Sequence, residues 1–260
     1  MHFSINVRLV AVMDDRFVYM YGRHAVLEAL NRRPDVVVEL FLRDDIGDIP
    51  KEILATMRKP TRFHGDKVPP VIERSAVHQG YIAKVDTEKL VVSFADFCSA
   101  LTVTPDTALV VLGELQDPHN VGAVIRSAAA FGAAAVLLPK HRQAGVTGTV
   151  LKVSAGMAFA IPLVEVPNVN RALEDLKERG FFVYGLDGAG ETNVSEEDFR
   201  KPSVLVLGNE GTGVREKTAE HCDIMLKIPM HPRCESLNAS VSAALVLHAW
   251  SLRHTKALDA

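Results

Sequence analysis

From Thr107 onward, short apolar runs alternate with stretches of helical spacing. Ala108–Leu112, Ala134–Leu138, Phe181–Gly185, Val204–Leu207 and Ile224–Ile228 are apolar along nearly their whole length, the pattern of strands covered on both faces. Between or after them, Val121–Phe131, Arg171–Arg179, Val214–His221 and Leu237–His254 read as helices. This alternation predicts an α/β domain built on a parallel sheet. Gly132 and Gly180 stand where a helix must stop before the next strand, the place for a left-handed C′ residue.

A smaller α/β unit is predicted ahead of it. Tyr21–Asn31 puts Val26, Leu27 and Leu30 on one helical face, and Val36–Leu42 is a β-branched run that reads as a strand. Lys51–Arg58 and Glu73–Val77 read as helices, and Gly80–Val85 alternates like a strand. The expected division is an extension over 1–19, a small domain over 20–87, a linker over 88–106 with one short helix at Ala95–Leu101, and a large domain over 107–260. The opening residues lack the continuous apolar stretch of a secretory signal.

Composition narrows the class. Of the 260 residues, 48% are hydrophobic and 23% charged, which fits a folded globular chain and excludes a fibrous or wholly disordered one. The uncharged run Ala128–Pro139 is shorter than the roughly 20 residues a membrane helix needs, so no membrane span is expected. Three scattered cysteines, Cys98, Cys222 and Cys234, make no disulfide framework and suit a reducing, cytoplasmic compartment. A net charge of −3 excludes a strongly basic nucleic-acid binder but leaves a local basic patch open.

Three clusters carry candidate chemistry. Asp117-Pro118-His119-Asn120-Val121-Gly122 follows a buried strand, where open α/β folds place ligands. Asn120 is expected to cap the helix beginning at Val121. On that Ala-rich helix, Arg126 is a cation that calls for an anionic partner. The second cluster, Leu207-Gly208-Asn209-Glu210-Gly211-Thr212-Gly213, has its glycines in the order G-x-x-G-x-G. That is neither a dinucleotide fingerprint nor a P-loop, which weakens a Rossmann dehydrogenase reading. In the third cluster, Ile228-Pro229-Met230 ends a strand, and Ser236 is the expected cap of a helix starting near Leu237. That helix carries Val241, Ala244, Leu245, His248 and Leu252 on one stripe, fit for core or for a subunit interface. His221-Cys222 and His231…Cys234 match no common zinc spacing, and no metal is expected.

The order of these clusters and the spellings NVGAVIRSA, LGNEGTGV and IPM…SLNASV resemble the three motifs of the SpoU/TrmH ribose 2′-O-methyltransferases of the SPOUT superfamily. YGRHAVLEAL and SAVHQGYIAKV are similar to the L30e-like RNA-binding domain that precedes the catalytic domain in the 23S rRNA guanosine subgroup. The resemblance covers almost the whole chain from Tyr21. It implies a SPOUT-type parallel sheet with a trefoil knot, and S-adenosyl-L-methionine bent within the knot. Leu207, Gly208, Ile228, Met230 and Leu237 then hold the cofactor. Arg126, Asn120, Glu210, Ser236 and Asn238 match the family's catalytic positions. The implied partners are RNA, foremost 23S rRNA, and a second copy of the chain in a homodimer made through the large domain. A transfer RNA substrate is the nearest alternative, followed by an RNA-binding ribosome-assembly protein without turnover. Arg233-Cys234-Glu235, just before Ser236, departs from the smaller, less charged residues common among relatives.

Overall fold

The structure is a computed structural model that describes residues 16–46, 60–65, 68, 72, 77–209 and 213–259. The helices expected at Lys51–Arg58 and over most of Glu73–Val77 lie outside the described residues.

The small domain is a four-stranded mixed sheet among those residues. Its strands are β1 (Phe17–Tyr21), β2 (Val37–Arg43), β3 (Thr61–Phe63) and β4 (Tyr81–Asp86), in the order β1-β4-β2-β3. Helix α1 (Arg23–Arg32) buries Ala25, Val26, Ala29 and Leu30, near the face its spacing predicts. The expected extension over 1–19 ends too late, because Phe17–Tyr19 already belong to β1. That strand pairs antiparallel with β4, and the Arg16 guanidinium holds the Asp86 carboxylate through bonds of 3.1 and 2.6 Å.

The segment expected as a linker carries more structure than a linker needs. Helix α2 (Thr87–Leu90) leads into strand β5 (Val91–Ser93), and helix α3 (Phe94–Ala100) follows. Strand β5 joins the large sheet by pairing parallel with β8 (Leu163–Val166). Strand β5 is a three-residue edge strand and β8, between it and β7, is a four-residue run broken by Glu165, so neither carries a period to register.

The large domain continues through β6 (Ala108–Val111), α4 (Pro118–Ala130), β7 (Ala135–Pro139), α5 (Gly148–Val153), α6 (Val169–Glu178), β9 (Phe182–Leu186), β10 (Thr192–Asn193), β11 (Ser203–Val206), α7 (Glu216–Ala219) and β12 (Ile224–Lys227). Helix α8 (Ala239–Ser251) then closes the fold. The sheet order among the described residues is β10-β12-β9-β11-β6-β7-β8-β5, and every pairing is parallel.

Alternate residues of each central strand enter different cores, as a pleat covered on both sides requires. Val110, Val136 and Leu205 pack on the side of α4 and α8, whereas Leu109, Leu137 and Val204 pack on the side of α3 and α6. Gly132 and Gly180 end their helices at φ +76° and +89°, in the left-handed region. The helix expected over Val214–His221 is confined to α7, because Gly213 still closes a turn: its N–H and C=O exchange bonds of 3.0 and 2.9 Å with Asn209.

Candidate active site

Three neighbouring strands, β12, β9 and β11, release their chains at the same edge of the sheet, where parallel folds gather ligands. Their ends and the start of α8 enclose a cavity of about 450 Å³, a volume suited to a cofactor-sized ligand. Leu207 and Gly208 come from the end of β11, Ile228 and Met230 from beyond β12, and Ser236 and Leu237 from the approach to α8. All five residues expected to hold the cofactor therefore line one cavity. The backbone at Gly208 passes so close to Gly213 that a Cβ there would collide with the Gly213 carbonyl carbon.

The wall formed by Asn209 and Gly213 is held from outside. Asn209 Nδ2 donates to the Glu114 carbonyl oxygen at 3.0 Å, and the Glu114 carboxylate pairs with Arg215. Glu114 itself has φ +62°, a left-handed conformation uncommon away from glycine. Nothing in the local sequence pattern marks Glu114 or Arg215. Sequence reasoning also missed the fourth wall, Leu186 to Ala189 after β9, although the Asp187-Gly188 pair is an ordinary turn signal there.

The capping expectations are corrected. Helix α4 begins at Pro118, so Asn120 lies inside its first turn, and the cap is Asp117, whose side chain accepts from His119 N–H at 2.9 Å. Likewise Asn238, not Ser236, caps α8, accepting from Ser240 N–H at 2.8 Å and from Val241 N–H at 3.4 Å. The proline takes the first helical position because it has no N–H to satisfy. Asn238 and Asn120 meet: the Asn238 Nδ2 donates to Asn120 Oδ1 at 2.9 Å, and Asn120 is 8% exposed.

Arg126 does not line the cavity. It sits on the outward face of α4 with His119, Ala123 and Ala130, and it has no hydrogen bond or ion pair among the described residues. Glu210 lies outside the described residues. The expected stripe stays out of the core: Val241, Leu245 and Leu252 are 46%, 41% and 59% exposed, and Ala243, Val246, Leu247 and Trp250, off the stripe, fill the core. His248 of α8 packs edge-on against Phe131, which binds α8 to the end of α4.

Residues 107–248 match the SpoU rRNA Methylase family, and residues 19–90 match the RNA 2′-O ribose methyltransferase substrate binding family. The chain belongs to the SpoU family. It is 38% identical over 232 residues to the 23S rRNA (guanosine-2′-O-)-methyltransferase RlmB of Neisseria meningitidis, covering 88% of this chain and 92% of that one. The protein of the same name from Pseudomonas putida is 36% identical over 236 residues, at 88% and 93% coverage. Among solved structures, the SpoU methyltransferase AviRb of Streptomyces viridochromogenes in complex with AdoMet superposes with a TM-score of 0.77. At 23% identity over 93% of this chain and 92% of that one, this likeness shows the SpoU fold alone. Among the described residues no helix is long and apolar enough to cross a membrane.

Proposed function

We propose that this protein transfers the methyl group of S-adenosyl-L-methionine to a ribose 2′-hydroxyl in RNA, at a guanosine of 23S rRNA. The observation that carries the reading is the convergence of Leu207, Gly208, Ile228, Met230 and Leu237 on one cavity, in a chain that matches RlmB relatives along most of its length. Main-chain groups at the strand ends suit the adenine edge, and Gly208 carries no side chain to stand between them and a ligand. AviRb, which shares the fold, was solved with AdoMet. The small domain, which matches the substrate-binding family, contacts the RNA.

The 2′-hydroxyl is a weak nucleophile until its proton departs. In the proposed step its oxygen bonds to the methyl carbon, the carbon–sulfur bond breaks, and the electron pair stays on sulfur while the proton passes to solvent. The part of Arg126 is to hold an RNA phosphate through its guanidinium fork and to stabilise the developing alkoxide. Asn120, Glu210, Ser236 and Asn238 order the groups around the transferring methyl.

A homodimer through the large domain completes this reading. The exposed apolar residues Val241, Leu245 and Leu252 offer a second copy a face beside α4. Arg126, outside the cavity of its own chain, is then available to the cavity of the partner. The same reading includes a trefoil knot, supported by family membership and by a chain that returns from β12 to pack α8 on α4. A reducing, cytoplasmic setting accompanies a ribosomal substrate. Mapping ribose methylation in RNA from cells with and without the gene tests the proposal. One 23S rRNA guanosine that loses its 2′-methyl and regains it on complementation supports it. An unchanged map, together with no tritium transfer from labelled donor to unmodified RNA, favours a silent RNA-binding protein.

A further inference from the structure

The ionisable groups around the cavity are one-sided. Among the described residues that line it, Asp187 and Glu235 are acidic and none is basic. Asp187 follows β9 directly, and its carboxylate is oriented by the Ala189 N–H, which donates to Oδ1 at 2.9 Å. Its other oxygen, Oδ2, has no hydrogen-bond partner among the described residues and stands against Gly213, where a Cβ would come within 2.7 Å of it. The bare backbone at Gly213 therefore leaves room for this oxygen at the cavity wall. Glu235 is exposed on the approach to α8, with no ion pair among the described residues.

We propose that Asp187 discriminates by charge: its carboxylate favours the cationic sulfonium donor over the neutral thioether product, and Glu235 adds a smaller effect of the same sign. The inference rests on the methyltransferase reading. Transfer removes one positive charge from the ligand and one methyl group; adenine, ribose, amino and carboxylate groups are unchanged. A contact to any shared group weakens donor and product together. A carboxylate acting on the sulfonium weakens the donor alone when it is neutralised. One unit charge a few ångströms away in a half-solvated site is worth roughly tenfold in affinity. Because that attraction is strongest before the charge is lost, it serves loading and product exchange and does not accelerate the chemical step.

Isothermal titration of the full-length protein with S-adenosylmethionine and S-adenosylhomocysteine tests the idea. Asp187→Asn keeps the shape and the Oδ1 acceptor. It is expected to raise the donor Kd about tenfold and the product Kd by less than about twofold. Glu235→Gln, on an exposed segment, is expected to shift the same ratio less, and added salt to shrink both effects. Equal weakening of the two ligands by Asp187→Asn, or no change in either, overturns the inference and leaves the methyltransferase reading standing. If the unaltered protein binds neither ligand, that reading falls as well.

Discussion

The Asn238 side-chain amide donates to the Asn120 side-chain oxygen across 2.9 Å, tying the first turn of α8 to the first turn of α4 over 118 positions of sequence. The same Asn238 uses its oxygen to cap α8. One side chain thus fixes a helix start and its distance from the first motif, beside the cavity wall at Leu237.

That double use can be separated. Asn238→Asp retains an acceptor for the cap and removes the donor to Asn120. Asn238→Ala removes both, and the cap alone is worth about 1 kcal/mol. Denaturant unfolding is expected to rank Asn238→Ala below Asn238→Asp. A double-mutant cycle with Asn120→Ala should give a coupling of about 1 kcal/mol. A coupling near zero would show that the contact contributes nothing to the fold.

Arg126 separates binding from chemistry. Because it lines no part of the cavity proposed for the donor, Arg126→Ala is expected to leave the S-adenosylmethionine Kd within about twofold while lowering single-turnover transfer to RNA roughly 10²-fold or more. Arg126→Lys keeps the charge but not the planar fork, so it should recover only part of the rate. A variant that loses donor affinity in step with rate would contradict this placement.

How much of this was legible in the sequence depends on length and on contact range. Four of the five apolar runs of the large domain are interior strands buried on both faces and the fifth is the half-buried β12; their apolar composition alone exposes them. Strand β5 escapes because three residues at an edge carry no period, and β8 beside it because Glu165 breaks its apolar run. The cavity wall at Gly208 is legible because the close approach of the Gly213 backbone there demands glycine. The Glu114–Arg215 pair escapes because it joins residues from different loops, and nothing local requires either. Asn120 was misread for a different reason: Asp117-Pro118 supplies both a cap and a proline for the first turn, and this earlier start outcompetes a start at Val121.

The exposed stripe of α8 makes a prediction about assembly. Val241, Leu245 and Leu252 recur at spacings of four and seven on one face, the geometry of a helix seam. Leu245→Glu places a charge at the centre of that face while leaving the core residues Val246 and Trp250 untouched. Sedimentation should find the unaltered chain dimeric and the variant shifted towards monomer by at least about tenfold in dissociation constant. Transfer activity is expected to fall with the dimer fraction. A monomeric unaltered chain would remove the partner from the proposed site.

The attachment of β1 to β4 is expected to be pH-dependent. Asp86 is 1% exposed, and its hydrogen bonds from the Arg16 guanidinium hold the carboxyl below the usual carboxylate range, against the opposing effect of burial. A carboxyl whose folded value lies below its unfolded value of about 3.9 binds fewer protons when folded near that pH. Its stabilisation is therefore complete at neutral pH and is lost as the pH falls from about 4 through the folded value. Asp86→Asn keeps the size and removes the titration. It should destabilise the chain by about 1 kcal/mol at pH 7, and the difference from the unaltered protein should narrow below about pH 4. Denaturant midpoints for both chains at pH 7 and at about pH 3 decide the matter. A difference that stays constant across that range would mean that the Arg16–Asp86 pair contributes shape but no charge.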